Sequence, residues 1–188
     1  MTSKRTFDFL LAFFFILLLI VPGFFIGIAI RLTSKGPAIY WSDRVGKNNI
    51  IFKMPKFRTM MVNTPPIATH LLINPTSYLT TMGSFLRKYS LDEMPQLLSI
   101  LCGQMTFVGP RPALFNQYDL IKMRNKVGIS ELCPGLTGWA QVNGRDELDL
   151  AKKVELEIEY MRRQSFLFDL KILWITFLRV LNKQDVSH

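Results

Sequence analysis

Two adjacent carboxylates, Asp92 and Glu93, stand in a stretch of the sequence that is rich in arginine. Arg87 precedes them, and Arg111 follows between two prolines. Acids at a predicted helix N-terminus most simply cap the helix, which stabilises it by up to about 1 kcal/mol. Arginines that converge on a helix N-terminus are also typical of a phosphate site. The pattern therefore leaves two explanations open, a capped helix and a binding site for a phosphorylated ligand.

A carboxylate among arginines has two chemical uses beyond ion pairing. It can hold Mg²⁺, which takes one or two carboxylates together with substrate phosphates, or it can attack phosphorus directly. Attack on an anion requires cations that offset the developing charge, and Lys56, Arg58 and Arg145 are further candidates. Other chemistries have little support, because the chain has only two histidines, no CxxC or HExxH metal pattern and no Walker-type phosphate loop.

The elements that must hold these side chains can be predicted from local sequence signals. Ser90 and Glu93 have capping-box spacing, and Pro95 favours a helix that starts here and ends near Gly103. Met82–Lys88 is predicted as a second, basic helix. The remaining signals predict two strands of a hairpin and two rigid loops, namely Pro37–Trp41, Ile50–Phe52, Gly109–Pro112 and Cys133–Gly138.

The N-terminal part of the chain contains an apolar run, Phe9–Ile30, of 22 positions without a charge. A straight helix of that length reaches about 33 Å, enough to cross the hydrocarbon of a membrane. Two features oppose a straight crossing: Pro22 interrupts the run, and basic residues flank both ends, although positive segments prefer the cytoplasmic side. These residues leave open a re-entrant helix that bends at Pro22 and a single span with a tolerated proline.

Two more helices are predicted after these motifs. Val154, Ile158 and Met161 repeat at helical spacing in Asp146–Glu159, which indicates an amphipathic helix with a solvated acidic face. Phe166–Leu181 is apolar at 12 of 16 positions, and its charges argue against a membrane span. Its polar residues do not share one face, so a core helix and an interfacial helix both remain possible.

The composition joins high hydrophobicity to a strong positive charge. The 188 residues are 49% hydrophobic and carry a net charge of +9. These values exclude a disordered chain and favour contact with an anionic membrane surface, an anionic substrate or both. We place a catalytic domain at residues 36–188, behind a membrane segment at residues 1–35. Cys102 and Cys133 are predicted to be buried, reduced thiols.

Four stretches of the sequence resemble the bacterial sugar transferases, the small monotopic phosphoglycosyl transferases that start lipid-linked glycan assembly. Their order and spacing agree with that family across nearly the whole chain. Each motif alone is weak, whereas the four together are highly specific. The matching stretches are Lys56–Met60, Leu86–Leu97, Phe107–Pro112 and Pro134–Arg145.

The resemblance implies an α+β, mainly helical, monotopic membrane protein at the cytoplasmic face of the bacterial inner membrane. It implies a re-entrant N-terminal helix kinked at Pro22, interfacial amphipathic helices and a short β-hairpin. Enzymes of this kind move a sugar 1-phosphate from a UDP-sugar to polyprenyl (undecaprenyl) phosphate, release UMP and depend on Mg²⁺. That transfer is the first membrane step of glycan biosynthesis, and the sequence does not specify the sugar or the pathway.

The resemblance also implies roles for individual residues. Asp92 matches a nucleophile that forms a covalent phosphosugar intermediate and also binds Mg²⁺. Glu93 matches a residue that assists, either by orienting the metal or by helping to deprotonate the lipid phosphate. Gln104 and Ser99 depart from the residues usual in the family. The positions that the resemblance marks as substrate-binding are Arg58, Arg87, Arg111, Asn143 and Arg145.

A function of another class fits part of the pattern: a non-catalytic, basic, membrane-anchored module that binds anionic lipid or nucleic acid. That function explains the net charge and the apolar helix. It does not explain carboxylates among the arginines, because carboxylates weaken anion binding, and nucleic-acid readers usually interleave aromatic side chains on a basic face. We therefore expect a nucleotide-sugar donor, a lipid phosphate acceptor and membrane lipid as partners, and no nucleic acid.

Overall fold

Six α-helices and five short β-strands make up the part of the chain that the computed structural model describes, residues 2–65, 67, 74–144 and 148–181. The protein is mainly helical with small sheets, as predicted. The elements in chain order are α1 (Thr2–Thr33), β1 (Ile39–Val45), β2 (Ile51–Phe57), α2 (Thr81–Lys88), α3 (Gln96–Leu101), β3 (Thr106–Val108), β4 (Ala113–Leu114), α4 (Tyr118–Lys126), β5 (Gly135–Thr137), α5 (Leu150–Arg163) and α6 (Phe166–Leu181).

The predicted hairpin is confirmed. Strands β1 and β2 pair antiparallel, with Ile39 opposite Phe57 and Val45 opposite Ile51. Both strands run farther than the sequence indicated, since β2 continues through Pro55. In the sheet order β2-β1-β4, strand β2 lies at an edge, where a proline without an N–H is tolerated.

A second, two-stranded sheet joins β3 to β5 in parallel, with Thr106 opposite Gly135. The sequence analysis treated Cys133–Gly138 only as a loop, so this pairing was missed. The loops after the two strands approach each other closely: a Cβ atom at Gly138 would lie 2.1 Å from the Gly109 carbonyl oxygen, and a Cβ at Gly135 would lie 2.1 Å from the Gly109 nitrogen. Glycine at these positions therefore permits a backbone contact that no other residue allows.

We predict that Gly138→Ala destabilises the protein by at least about 2 kcal/mol, because the added methyl group overlaps backbone atoms that cannot rotate away. The matched control is Gly27→Ala, whose Cβ would make an ordinary contact of 4.0 Å with Ala38. We expect this control to be neutral or mildly stabilising, because alanine is the better helix former. Denaturant unfolding in detergent measures both, and equal stabilities of the two variants would contradict the prediction.

The main hydrophobic core lies between α1, α3, β3 and α6. Ile100 of α3, Ile172 of α6 and Tyr160 of α5 are almost fully buried in it, together with Ala12 of α1. The α6 helix buries Phe168 and Ile172 but exposes Leu167 and Trp174. Helix α6 therefore has features of both a core helix and an interfacial helix, because one face packs in the core and another face is apolar and exposed.

Helix α1 is continuous through Pro22 and is tied to the rest of the protein at its N-terminal end. The Lys4 ammonium donates to the Asp169 carboxylate (2.5 Å) and to the Val108 carbonyl (2.8 Å). The buried Asp8 carboxylate accepts from the Thr106 hydroxyl at 2.5 Å. At the other end, Ile30 is fully buried in a cluster with α2 and β2. The helix therefore contacts the same body at both ends.

The outward side of α1 is apolar and exposed along most of its length. Residues Ser3–Thr33 form a helix long and apolar enough to cross a membrane by length and composition alone. The large apolar residues that are more than half exposed on this helix are Leu10, Phe14, Leu17, Leu18, Ile20, Val21, Phe24, Phe25 and Leu32. Exposing such a surface to water would be costly, so the observation fits a membrane-facing side of the protein.

Two smaller predictions need correction. Cys102 is exposed and Cys133 is partly buried, so the prediction of two buried thiols was wrong, although both cysteines are free. The predicted solvated acidic face of α5 is confirmed for Glu155 and Glu159 and wrong for Glu157, which is 2% exposed and paired with Arg124. The apolar side of α5 was predicted correctly, because Val154, Ile158 and Met161 pack in one cluster with α4.

Candidate active site

Asp92 and Glu93 lie in a single 3₁₀ turn, Leu91–Glu93, between α2 and α3. The predicted capping box is wrong. The α-helix begins at Gln96, and Ser90 makes no capping hydrogen bond with its side chain. Ser90 has a positive φ of 53°, in the left-handed region, so it interrupts the right-handed helical backbone between α2 and the turn. The carboxylates are therefore presented by a sharp turn rather than by the first turn of a helix.

The carboxylate of Asp92 is buried without a direct partner. The residue is 8% exposed, and within the described part of the chain no side chain or backbone N–H donates a hydrogen bond to it. Burial raises the pKa of the Asp92 carboxyl above its usual value, and the negative charge of Glu93 raises it further. The positive charges of Lys56, Arg87 and Arg111 lower this pKa but do not cancel the rise. The Asp92 carboxylate is therefore poorly solvated and lies near three cationic side chains, Lys56, Arg87 and Arg111.

Glu93 binds two of those cations. Its Oε1 atom accepts from Lys56 Nζ at 3.2 Å and from Arg111 at 2.5 Å. Burial lowers the pKa of the Lys56 ammonium, while the charge of Glu93 raises it. Glu93 therefore positions one cation from strand β2 and one from the loop after β3 beside its neighbour Asp92.

Arg87 and Arg111 are each held by other parts of the protein. Arg87, in the last turn of α2, donates from Nε to the Thr59 hydroxyl at 3.0 Å. The loop that carries Arg111 is fixed by Arg124, whose guanidinium donates to the Arg111 carbonyl at 2.9 Å and forms an ion pair with Glu157. Both arginines are thus preorganised before any ligand binds, which keeps the cost of ordering them low.

The site lies against the middle of α1. A Cβ atom at Gly23 would lie 3.8 Å from the terminal methyl of Met94, the residue that follows Glu93. Gly23 directly follows the proline in α1. The chain immediately after the two carboxylates therefore packs on the membrane helix next to Pro22.

The other residues predicted from the sequence are not all part of this group. The Arg58 guanidinium donates to the Pro37 carbonyl at 2.8 Å and lies over the Tyr40 ring at 5.8 Å. The exposed Asn143 amide donates to the Trp139 carbonyl at 2.7 Å. Arg145 lies outside the described residues. Roles for these three in binding substrate stay predictions.

The sequence analysis underestimated one member of the site. Lys56 was noted as a nearby basic residue but was not included among the site residues, although it contacts Glu93 directly. A signal was present, because Lys56 lies in the first of the four stretches that resemble the family. Spacing could not show that β2 brings it across to a turn that is 37 residues away.

The donor set is compatible with one divalent cation shared with a phosphorylated ligand. Among the residues that the structure describes, no three His, Cys, Asp or Glu side chains are grouped as a metal site. The buried Asp92 carboxylate, however, has no protein donor on it, and Mg²⁺ commonly takes one or two carboxylates and completes its shell with phosphate oxygens and water. Asp92 fits that mode of binding.

A model of the family described as "bacterial sugar transferase" matches residues 1–183 of the chain. The chain belongs to the bacterial sugar transferase family. A relative from Escherichia coli (strain K12), named UDP-glucose:undecaprenyl-phosphate glucose-1-phosphate transferase, is 40% identical over 92% of this chain. A relative from Komagataeibacter xylinus, named undecaprenyl-phosphate glucose phosphotransferase, is 37% identical over 95% of it. The exopolysaccharide production protein ExoY of Sinorhizobium fredii is 36% identical over 93%.

These relatives differ in how much of their length this bacterial sugar transferase matches. The chain spans 36% of the K. xylinus protein and 39% of the E. coli protein. It spans 83% of the S. fredii protein. The shared part is thus one segment of the longer relatives and most of the shorter one.

Proposed function

We propose that this protein is a phosphoglycosyl transferase that moves a sugar 1-phosphate from a UDP-sugar to undecaprenyl phosphate and releases UMP. The observation that carries the proposal is the buried Asp92 carboxylate, which has no hydrogen-bond donor among the described residues and lies among Lys56, Arg87 and Arg111. A carboxylate desolvated in this way is reactive toward phosphorus, and the cations offset the repulsion of an anionic substrate. The names of the E. coli and K. xylinus relatives both include undecaprenyl phosphate, and the E. coli name also includes UDP-glucose.

In the first half-reaction, an oxygen of Asp92 forms a bond to the phosphorus that carries the sugar. The bond from that phosphorus to the bridging oxygen breaks, and UMP leaves with the electron pair. Arg87 and Arg111 bind phosphate oxygens and stabilise the negative charge that develops on them. When bound at Asp92, Mg²⁺ would neutralise part of the charge of the diphosphate.

In the second half-reaction, a phosphate oxygen of the lipid acceptor forms a bond to the same phosphorus. The bond to Asp92 breaks, the carboxylate is restored, and the lipid carries a diphosphate-linked sugar. Glu93 holds Lys56 and Arg111 in place throughout. Its proximity also allows it to accept a proton from the acceptor phosphate, whose oxygen attacks more readily when it is deprotonated.

Retention of phosphorus on the polypeptide tests this scheme. We expect detergent-solubilised enzyme to release UMP from a UDP-sugar with Mg²⁺, and to retain the label when the phosphate next to the sugar is labelled. Adding undecaprenyl phosphate should then transfer the label to lipid. The competing function, a non-catalytic basic membrane module, predicts no UMP release with any member of a UDP-sugar panel.

We further propose that α1 is re-entrant and that the protein sits in the cytoplasmic leaflet. Both ends of α1 contact the same body, through Lys4 at one end and Ile30 at the other. A straight crossing would place Gly23 about 5 Å from the centre of the apolar run, given 1.5 Å per residue. Met94, the residue after Asp92 and Glu93, packs at that position, and a cluster of charges near the centre of a bilayer is strongly disfavoured.

Accessibility tags test this topology. We expect a tag before Lys4 and a tag after Arg31 both to be modified only from the cytosolic side, because each end of α1 packs on the same body. The measurement is labelling with a membrane-impermeant reagent in intact cells and in inside-out vesicles. Labelling of the two tags from opposite sides would establish a true span and contradict the re-entrant helix.

A further inference from the structure

A cavity of about 290 Å³ lies beside the turn that carries the carboxylates. The charged residues Glu93, Arg111 and Arg179 are part of its lining. Its walls are mostly apolar, and helices α1 and α6 contribute Phe15, Leu19, Leu173 and Val180 to them. The cavity therefore connects the charged site to the side of the protein where α1 and α6 expose apolar side chains.

One polar side chain in this wall lacks the partners that it needs. Neither Nε2 nor Oε1 of Gln141 has a hydrogen-bond partner within the described part of the chain, and both atoms are closed to solvent. A buried amide without partners is destabilising and rare in folded proteins, where most such groups are satisfied. Gly138 leaves room for this amide, since a Cβ there would lie 2.9 Å from Gln141 Oε1. The arrangement indicates a ligand that supplies the missing hydrogen bonds.

We propose that this cavity binds the phosphate end of the lipid acceptor, with the first isoprenoid units between α1 and α6 and the Gln141 amide bonded to the phosphate. This inference rests on the proposed function and adds the acceptor's place and a residue that positions it. The Gln141 Nε2 group donates to a phosphate oxygen, and Oε1 accepts from the protonated oxygen of a phosphate monoanion.

The walls favour the lipid acceptor over the nucleotide sugar as the occupant. A UDP-sugar is polar along its whole length and would leave its hydroxyls unpaired against Leu19, Leu173 and Phe15. An isoprenoid chain gains free energy from the same contacts, and its far end continues into the lipid that faces α1 and α6. Charge complementarity agrees, because two guanidinium groups, Arg111 and Arg179, line the cavity with one carboxylate, Glu93.

The two half-reactions separate this site from the donor site. We expect Gln141→Leu to leave the burst of UMP release without acceptor within about twofold of wild type, and to slow acceptor-dependent discharge by at least about tenfold. Its thermal midpoint should be equal to or higher than that of wild type, because the change removes an unpaired buried amide. A slower burst would place Gln141 in the donor site, and unchanged discharge would also overturn the proposal.

A direct binding measurement makes the test independent of turnover. Val180 lines the cavity and Leu178 does not, yet both lie on α6 and each is 39% exposed. We expect Val180→Phe to weaken binding of labelled undecaprenyl phosphate in detergent by at least about tenfold, and Leu178→Phe to change it by less than about twofold. Equal effects of the two substitutions would overturn the acceptor site.

The two measurements also distinguish failure of the inference from failure of the proposed function. Wild-type enzyme that forms product without a UMP burst would contradict the covalent scheme, while the binding comparison between Val180→Phe and Leu178→Phe would still decide where the acceptor lies. A normal burst together with equal binding of both variants would leave the covalent scheme intact and refute the cavity.

Discussion

Asp92→Asn should reduce UMP release by at least about 10³-fold, which corresponds to about 4 kcal/mol in the activation barrier. The amide has no oxygen anion that can bond to phosphorus, so the first half-reaction cannot proceed through it. The fold should survive, because Asp92 accepts no hydrogen bond from the described residues and the substitution therefore breaks none. UMP release from a UDP-sugar with undecaprenyl phosphate and Mg²⁺ in detergent measures the effect.

The same substitution should increase stability near neutral pH. Burial raises the pKa of the Asp92 carboxyl, so the ionised form is less favourable in the folded protein than in the unfolded chain. This penalty is present above the folded-state pKa and disappears as the pH falls below the pKa of the unfolded chain. The stability advantage of Asp92→Asn over wild type should therefore shrink as the pH is lowered. A variant that loses activity because it unfolds would contradict this explanation.

The exposed Asp119 provides a matched control for that experiment. It lies in the first turn of α4 and is not part of the site. Asp119→Asn makes the same chemical change on the surface and should leave UMP release within about twofold of wild type. Equal losses of UMP release in Asp92→Asn and Asp119→Asn would contradict the assignment of Asp92 as the nucleophile.

The second large effect should come from Glu157→Leu, which we expect to destabilise the protein by about 3–5 kcal/mol. Glu157 is 2% exposed and Arg124 is 8% exposed, so the substitution leaves a guanidinium buried without its carboxylate. The same guanidinium donates to the Arg111 carbonyl. We therefore expect a loss of UMP release as well, because the loop that carries Arg111 loses its support. Denaturant unfolding in detergent measures the loss of stability.

Two comparisons decide whether charge burial is the cause. The double substitution Arg124→Met with Glu157→Leu should cost less than Glu157→Leu alone, because no unpaired charge remains. Glu155→Leu on the same helix removes the exposed partner of Lys152 and should change stability by less than about 1 kcal/mol. A double variant that is less stable than the single variant would contradict the explanation.

Local sequence signals predicted several elements closely. The final helix, Phe166–Leu181, has the predicted bounds, because the apolar segment of the sequence begins and ends at these residues. The hairpin of β1 and β2 was predicted from two short strand-like runs and the glycine-containing turn between them, and α2 from its basic helical stretch. These signals depend on neighbours within a few residues of one another, so no knowledge of the tertiary structure was required.

Other features could not be predicted because they depend on contacts between distant segments. The capping-box spacing at Ser90 was present, yet a positive φ at that residue produces a 3₁₀ turn instead. The parallel pairing of β3 with β5 requires two segments that lie about 30 residues apart to meet through glycines. Short strands of three residues carry almost no periodicity, so their sequence alone indicates only loops.

The sequence by itself determined the family, the adjacent carboxylates, the surrounding basic residues and the apolar N-terminal helix, because these are properties of residue type, order and spacing. Only the tertiary structure decided that Asp92 is buried without a donor, that Lys56 reaches Glu93, and that an unpaired Gln141 amide lines a cavity between α1 and α6. The physical reason is that solvation and hydrogen-bond pairing depend on which distant atoms surround a group, and local sequence does not contain that information.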